Sequence, residues 1–310
     1  MQPPRPIVLI NLSIDLESAL RSKLAALNVA PSKTNSIQDL CLAYFNAANR
    51  RITALKRKVH YSRELTTKIP KLALDQQNAI KTIQITAERG QDLTCYLSTK
   101  IMKDYKDQLF NDWRILHFHL GMVQSGKPFS QRTNELLYAY ATKNDLYLID
   151  LLDHDPVSGF SNQGLLQIID DNWSHITRPF ALRGITAGPP ITDSQVDQLR
   201  KSHISYSVSL RDGTLLFPLG GGYASSGDNS TLVMHMNKLF FEMREFENKI
   251  RSNPDNFISA IQREQGRRKT VFDIKQTVLH VNLINSPIGF EVIEMLSGCR
   301  LTGWEFDKNL

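Results

Sequence analysis

Between Asp112 and His154 the chain carries imidazoles, cations and aromatic rings at spacings that would let them act together. Trp113, Ile115, His117 and His119 alternate with Arg114, Leu116, Phe118 and Leu120. A period of two belongs to a strand, so both imidazoles project from one face of a sheet and share a site. Two further runs, residues 135–141 and 146–152, bring Tyr138 or Tyr140 to that face and end at Asp153, His154 and Asp155. Imidazoles titrate near neutral pH, and a group of them beside cations is what RNA cleavage without a metal requires. One removes the proton of the ribose 2′-hydroxyl, another protonates the departing 5′-oxygen, and Arg or Lys stabilises the charge on phosphorus. The expected catalytic residues are His117, His119, His154, Arg132 and Tyr138, with Lys127 as a further cation and no cofactor. Arg114 suits the task less, because strand alternation points it away from the two histidines.

Helices followed by a strand with histidines, a loop, and the segment ELLYAYATKNDLYLIDLLDHDPVSGF make an order that resembles the RelE-type bacterial ribonuclease toxins, particularly their YafQ-like branch. The resemblance implies a RelE-like antiparallel sheet with residues 136–138 on its central strand. It implies His117 or His119 in the role of the first-strand histidine, His154 as the terminal histidine, and Phe160 as the aromatic ring that helps hold a base. It covers residues 113–160. The Pro-Asp-Trp that precedes the central strand in that branch is Thr133, Asn134 and Glu135 here, and the glycine before the terminal histidine is Asp153. The chain is also far longer than such a toxin.

Two other readings use the same residues. A His-x-His pair on a strand also opens metal-hydrolase sites, with Asp153, His154, Asp155 or His175 as further ligands, but such sites draw on several strand ends of an α/β layer or barrel, an alternation not found here. Alternatively the histidines are hydrogen-bonded packing residues in a nucleic-acid- or protein-binding module of a phage or mobile element.

The elements that must position these residues predict an α+β protein in three parts. Residues 1–108 read as a mainly helical region, with an apolar stripe from Ile37 to Ile52 behind a Ser36 cap, and further helices at residues 74–86 and 92–105. Residues 109–185 read as an antiparallel sheet domain holding the candidate site, and residues 186–310 as a C-terminal α+β domain behind the Gly188-Pro189-Pro190 break. The basic run from Arg50 to Lys68, with Arg57 and Lys58 as candidate substrate contacts, reads as a solvated helix face or a phosphate-tracking surface. Gly220, Gly221 and Gly222, just ahead of a helix near Thr231, form a second candidate anion site, although no Walker lysine follows.

A formal charge of +6 fits a polyanionic partner, so RNA is the expected one, with a ribosome or protein partner for the N-terminal helices and self-association also compatible. Cys41, Cys95 and Cys299 are too far apart for a disulfide framework or a zinc ribbon. No apolar run approaches the length of a membrane span and residues 1–10 lack a signal pattern, which makes the cytoplasm the expected compartment and a bacterial growth-control or antiviral effector the expected setting.

Overall fold

The computed structural model describes residues 7–30, 36–185, 188–265, 271–280, 289–295 and 298–301. The fold is mixed α+β, as expected. Its elements divide between two compact units, residues 1–48 with 234–310, and residues 49–233.

The first unit begins with β1 (Ile7–Ile10), α1 (Leu12–Ala26) and α2 (Ile37–Asn49). In α1, the side chain of Asn11 accepts from the Ile14 amide, and Leu12, Leu16, Leu20 and Leu24 form a buried ridge at intervals of four.

The second unit contains β2 (Lys58–Tyr61), α3 (Arg63–Lys68), α4 (Leu74–Glu88), α5 (Gln108–Trp113), β3 (Ile115–His119), β4 (Glu135–Ala141) and β5 (Asp145–Asp153). It continues through α6 (Gly164–Thr177), β6 (Ala181–Leu182), α7 (Asp193–Lys201), β7 (Val208–Ser209) and β8 (Leu215–Leu216). The first unit then resumes with α8 (Ser230–Ser252), α9 (Pro254–Gln265), β9 (Val271–His280), β10 (Gly289–Glu294) and β11 (Cys299–Leu301), and its sheet runs β1-β9-β10-β11.

The sheet that matters for the site runs β2-β5-β4-β3. The hairpin β4–β5 and the pairing of β3 with β4 are antiparallel, as the sequence suggests, and Thr142 closes the turn by donating its amide to the Asp145 carbonyl. The sheet is nevertheless mixed, because β2 adds to β5 in parallel. That fourth strand comes from the basic run: Val59, His60 and Tyr61 alternate within it, and the flanking lysines and arginines hide the pattern.

Both faces of this sheet are covered. Leu116, Phe118, Leu137, Ala139, Leu146 and Leu148 pack with Ile80, Ile83 and Ala87 of α4 on one side. Ile115, Leu136, Tyr138, Tyr140, Tyr147 and Ile149 pack with Leu165, Leu166 and Ile169 of α6, and with Val196, Val208 and Leu216, on the other. Burial on both faces explains why residues 146–152 are almost continuously apolar. It also explains why the division at residues 108/109 and 185/186 does not appear: segments from before and after the sheet each supply one of its covers.

Residues 92–105 form two short 3₁₀ turns, Thr94–Tyr96 and Thr99–Met102, where the sequence pattern suggests one helix. Asp92 and Ser98 accept from backbone amides two residues on, and these local bonds compete with the helical ladder. No helix among the described residues is long and apolar enough to cross a membrane.

Candidate functional site

Arg114, in the left-handed region at φ 59°, ends α5 and turns the chain directly into β3. Trp113 and Arg114 therefore belong to a helix end, and the strand alternation begins at Ile115. His117 lies opposite Tyr138 and His119 opposite Leu136, so both imidazoles share a face, as their spacing predicts.

Beyond β5 the chain makes a single π-helical turn, Pro156–Phe160, in which the amides of Gly159 and Phe160 both donate to the Asp155 carbonyl. Such turns occur mostly as isolated features near functional sites. This one swings the Phe160 ring between two imidazoles. The His117 ring lies 5.1 Å from it at 72°, and the His154 ring lies 5.2 Å from it at 85°. Glycine is required at 159: a Cβ there would sit 2.6 Å from the Tyr138 hydroxyl and closer still to the Asp153 carbonyl.

His117, His154, Phe160 and Arg132 line one cavity of about 320 Å³. That volume is at the lower end of small-ligand pockets and suits one nucleotide. His117 is half-buried, with Nδ1 sealed from solvent and unpartnered; burial lowers its pKa, so the ring is neutral at neutral pH. His154 and Arg132 are exposed at the rim. The cavity thus holds an imidazole fit to accept a proton, a second imidazole open to solvent, and a guanidinium.

His119 has another role. It is 2% exposed, does not line the cavity, and its Nδ1 accepts from the Thr133 amide at 3.4 Å. That bond fixes the neutral tautomer with its proton on Nε2, an atom without a partner. Burial, with the nearby charges of His117 and Arg132, lowers its pKa from 6.5 to about 4. The unfolded chain therefore binds this proton first as pH falls. Stability is full above pH 6.5 and declines toward pH 4, by about 3 kcal/mol in all. In His119→Asn, whose Oδ1 still accepts from Thr133, urea unfolding at a series of pH values should lose most of this acid slope; an unchanged slope would place its origin elsewhere.

Tyr138 also leaves the catalytic set. It is fully buried behind Phe160, its hydroxyl donates weakly to the Asp153 carbonyl at 3.5 Å, and burial raises its pKa, so it keeps its proton. Arg57 is 3% exposed, and its guanidinium donates to the carbonyls of Thr53, Leu55 and Thr142, tying down the start of β2 rather than facing a substrate. Lys58 is exposed, but on β2 at the sheet edge opposite β3. Lys127 stands exposed in the loop after β3 and does not line the cavity.

The three glycines form no anion cradle. Gly220, Gly221 and Gly222 donate their amides to the carbonyls of Asp112, Pro218 and Asn111, so none is left for a ligand. They pack instead against the α5–β3 junction, where side chains at 220 would strike the backbone of Phe110 and Asn111. Among the described residues, no three His, Cys, Asp or Glu side chains are grouped closely enough to hold one metal ion.

Sequence patterns missed the support behind the cavity. Arg200 is 2% exposed and Asp112 fully buried, joined by Nε to Oδ2 at 2.8 Å. Tyr206 donates to the same Oδ2 at 2.5 Å, Arg200 Nη1 donates to the Phe160 carbonyl, and the Trp113 ring lies 4.0 Å from the guanidinium. Burial pushes the Asp112 carboxyl up, against the downward pull of Arg200 and the Tyr206 hydroxyl, while Asp112 holds the Arg200 guanidinium above its ordinary value in spite of burial. One signal was present. Arg200 stands four residues after buried Val196, at a core position of α7.

No protein-family model, curated protein or solved structure matches the chain.

Proposed function

We propose that the second unit is an RNA-cleaving module that works by imidazole acid–base catalysis, in an effector of the toxin or antiviral-defence class acting in the cytoplasm. The observation that carries this reading is the convergence of His117, His154 and Arg132 around Phe160 in one open cavity. In this mechanism neutral His117 takes the proton of a ribose 2′-hydroxyl. The freed oxygen attacks the adjacent phosphorus as its bond to the 5′-oxygen breaks, the protonated form of His154 gives its proton to that departing oxygen, and Arg132 offsets the negative charge that builds on the phosphoryl oxygens. Phe160 offers its ring to an unstacked base. The products are a 2′,3′-cyclic phosphate and a 5′-hydroxyl.

The expected result with purified protein is cleavage of single-stranded RNA that persists in excess chelator and is abolished by a 2′-deoxy sugar at the cut site. End-group analysis of the products by mass spectrometry checks it. A 3′-hydroxyl with a 5′-phosphate would point to water attack and to the metal-hydrolase reading. The sealed, packed state of His119 favours a second reading, in which the imidazoles are structural and the cavity binds nucleic acid without cutting it. Tight RNA binding with no cleavage would establish that alternative.

A further inference from the structure

The cavity does not end at its rim. Arg132 and His154 also form one wall of an open recess of about 530 Å³, completed by Thr133, Asn134, Asp153 and Asp155. Two strand ends build it: Asp153 lies opposite Glu135 at the end of the β4–β5 pair, and the His154 amide donates to the Asn134 carbonyl. Two of its side chains are already occupied. The Thr133 hydroxyl donates to the Glu135 carbonyl, and the Asp155 carboxylate accepts from the Val157 amide. Asn134 and Asp153 are exposed, and among the described residues no hydrogen bond engages either side chain.

His117 lines the cavity alone, whereas His154 stands at the wall that cavity and recess share. The cavity has room for one nucleotide. In attack by a 2′-hydroxyl the base and the acid serve different nucleotides: the sugar that loses a proton lies 5′ of the cut, and the oxygen that gains one belongs to the nucleotide 3′ of it. With His117 inside the cavity and His154 between the two spaces, the nucleotide under attack fills the cavity against Phe160 and the departing one enters the recess.

We infer that this recess is the subsite for the departing nucleotide, where the Asp153 carboxylate and the Asn134 amide select its base. The inference rests on the RNA-cleaving reading and deepens it. An ionised carboxylate only accepts hydrogen bonds. Guanine offers it two adjacent donors, N1–H and the 2-amino group, whereas uracil offers one N–H flanked by two carbonyl oxygens that the carboxylate repels. Hydrogen bonds to the edges of unstacked bases are the usual means of reading single-stranded RNA. The ligand is therefore a guanine base 3′ of the cut and not a free phosphate, which the two carboxylates of the recess would repel.

Oligonucleotides with a single ribose fix the place of cutting, and the whole chain should be assayed on three of them, in which that ribose is followed by guanine, uracil or an abasic sugar. The departing oxygen is the same in all three. The guanine substrate should be cut roughly tenfold faster than the other two, the discrimination expected of one bidentate contact to a base. Asp153→Asn, an exposed change that supplies both a donor and an acceptor, should remove the preference for guanine and speed cleavage of the uracil substrate. Equal rates on the three substrates, or a guanine preference kept in full by Asp153→Asn, overturn the subsite and leave the ribonuclease reading standing. All-deoxy copies, which this chemistry does not cut, give a second readout by fluorescence anisotropy. The guanine copy should bind about tenfold more tightly than the abasic one, and Asp153→Asn should abolish the difference. If no RNA is cut and this selectivity holds, the recess stands as a base-binding site and only the cleavage reading falls; no cleavage and no selectivity removes both.

Discussion

Arg200→Ala should lower the unfolding free energy by about 3–5 kcal/mol, the usual result of stranding one half of a buried ion pair. Against a domain stability of about 5–15 kcal/mol, that is enough to leave much of the protein unfolded at moderate temperature. The reason lies in what the guanidinium holds. It neutralises Asp112, which has no exposure to water, and it anchors the π-helical turn through the Phe160 carbonyl while covering Trp113. Alanine leaves the carboxylate with the Tyr206 hydroxyl as its remaining partner and opens a void at the base of the cavity. Tyr206→Phe removes one hydrogen bond to a charged group and should cost about 1.5–3 kcal/mol. Urea denaturation with an unchanged slope measures both. A loss below about 1 kcal/mol for Arg200→Ala would mean that the pair is not the clamp described above.

His117→Ala should behave in the opposite way, with a small loss of stability and a loss of cleavage of about 10²–10⁴-fold, the range of positioned acid–base groups. Nδ1 of His117 has no hydrogen-bond partner, so its removal orphans no other polar group. The ring lies against Phe160 and Tyr138 on a half-exposed wall, and its packing is modest beside that of a core residue. His119→Asn should leave cleavage near the wild-type rate, since that imidazole is sealed away from the cavity. The contrast between two histidines one pleat apart separates catalysis from packing. Equal losses in both variants would favour a general disturbance of β3.

The sheet register was legible because period-two alternation survives in Ile115, His117 and His119, and because Thr142 to Asp145 carry turn chemistry between apolar runs. The convergence of His117, His154 and Phe160 was legible for the same reason, since β4 and β5 bring His154 back to the end of the strand pair. The separation of His117 from His119 was not. Alternation assigns a side to each residue and says nothing of what covers that side, and here Thr133 closes over His119 while the cavity opens at His117. The basic run misled because charge count does not reveal burial: Arg57 donates to the nearby carbonyls of Thr53 and Leu55 and to that of Thr142, 85 residues on. Asp112 and Arg200 are 88 residues apart, a pairing that local pattern does not carry. Glycine composition at 220–222 suggested open amides, whereas their real use is close backbone packing.

The role of His117 as a proton acceptor in an open cavity is measured most directly by the rate ratio between the wild-type chain and His117→Ala. Both proteins, matched for folded fraction, should be assayed on one single-stranded RNA in the same chelator-containing buffer. The wild-type chain should give 2′,3′-cyclic phosphate ends, and the substitution should slow cleavage about a hundredfold or more. Equal rates in the two proteins, or no cleavage by the wild-type chain, would contradict it.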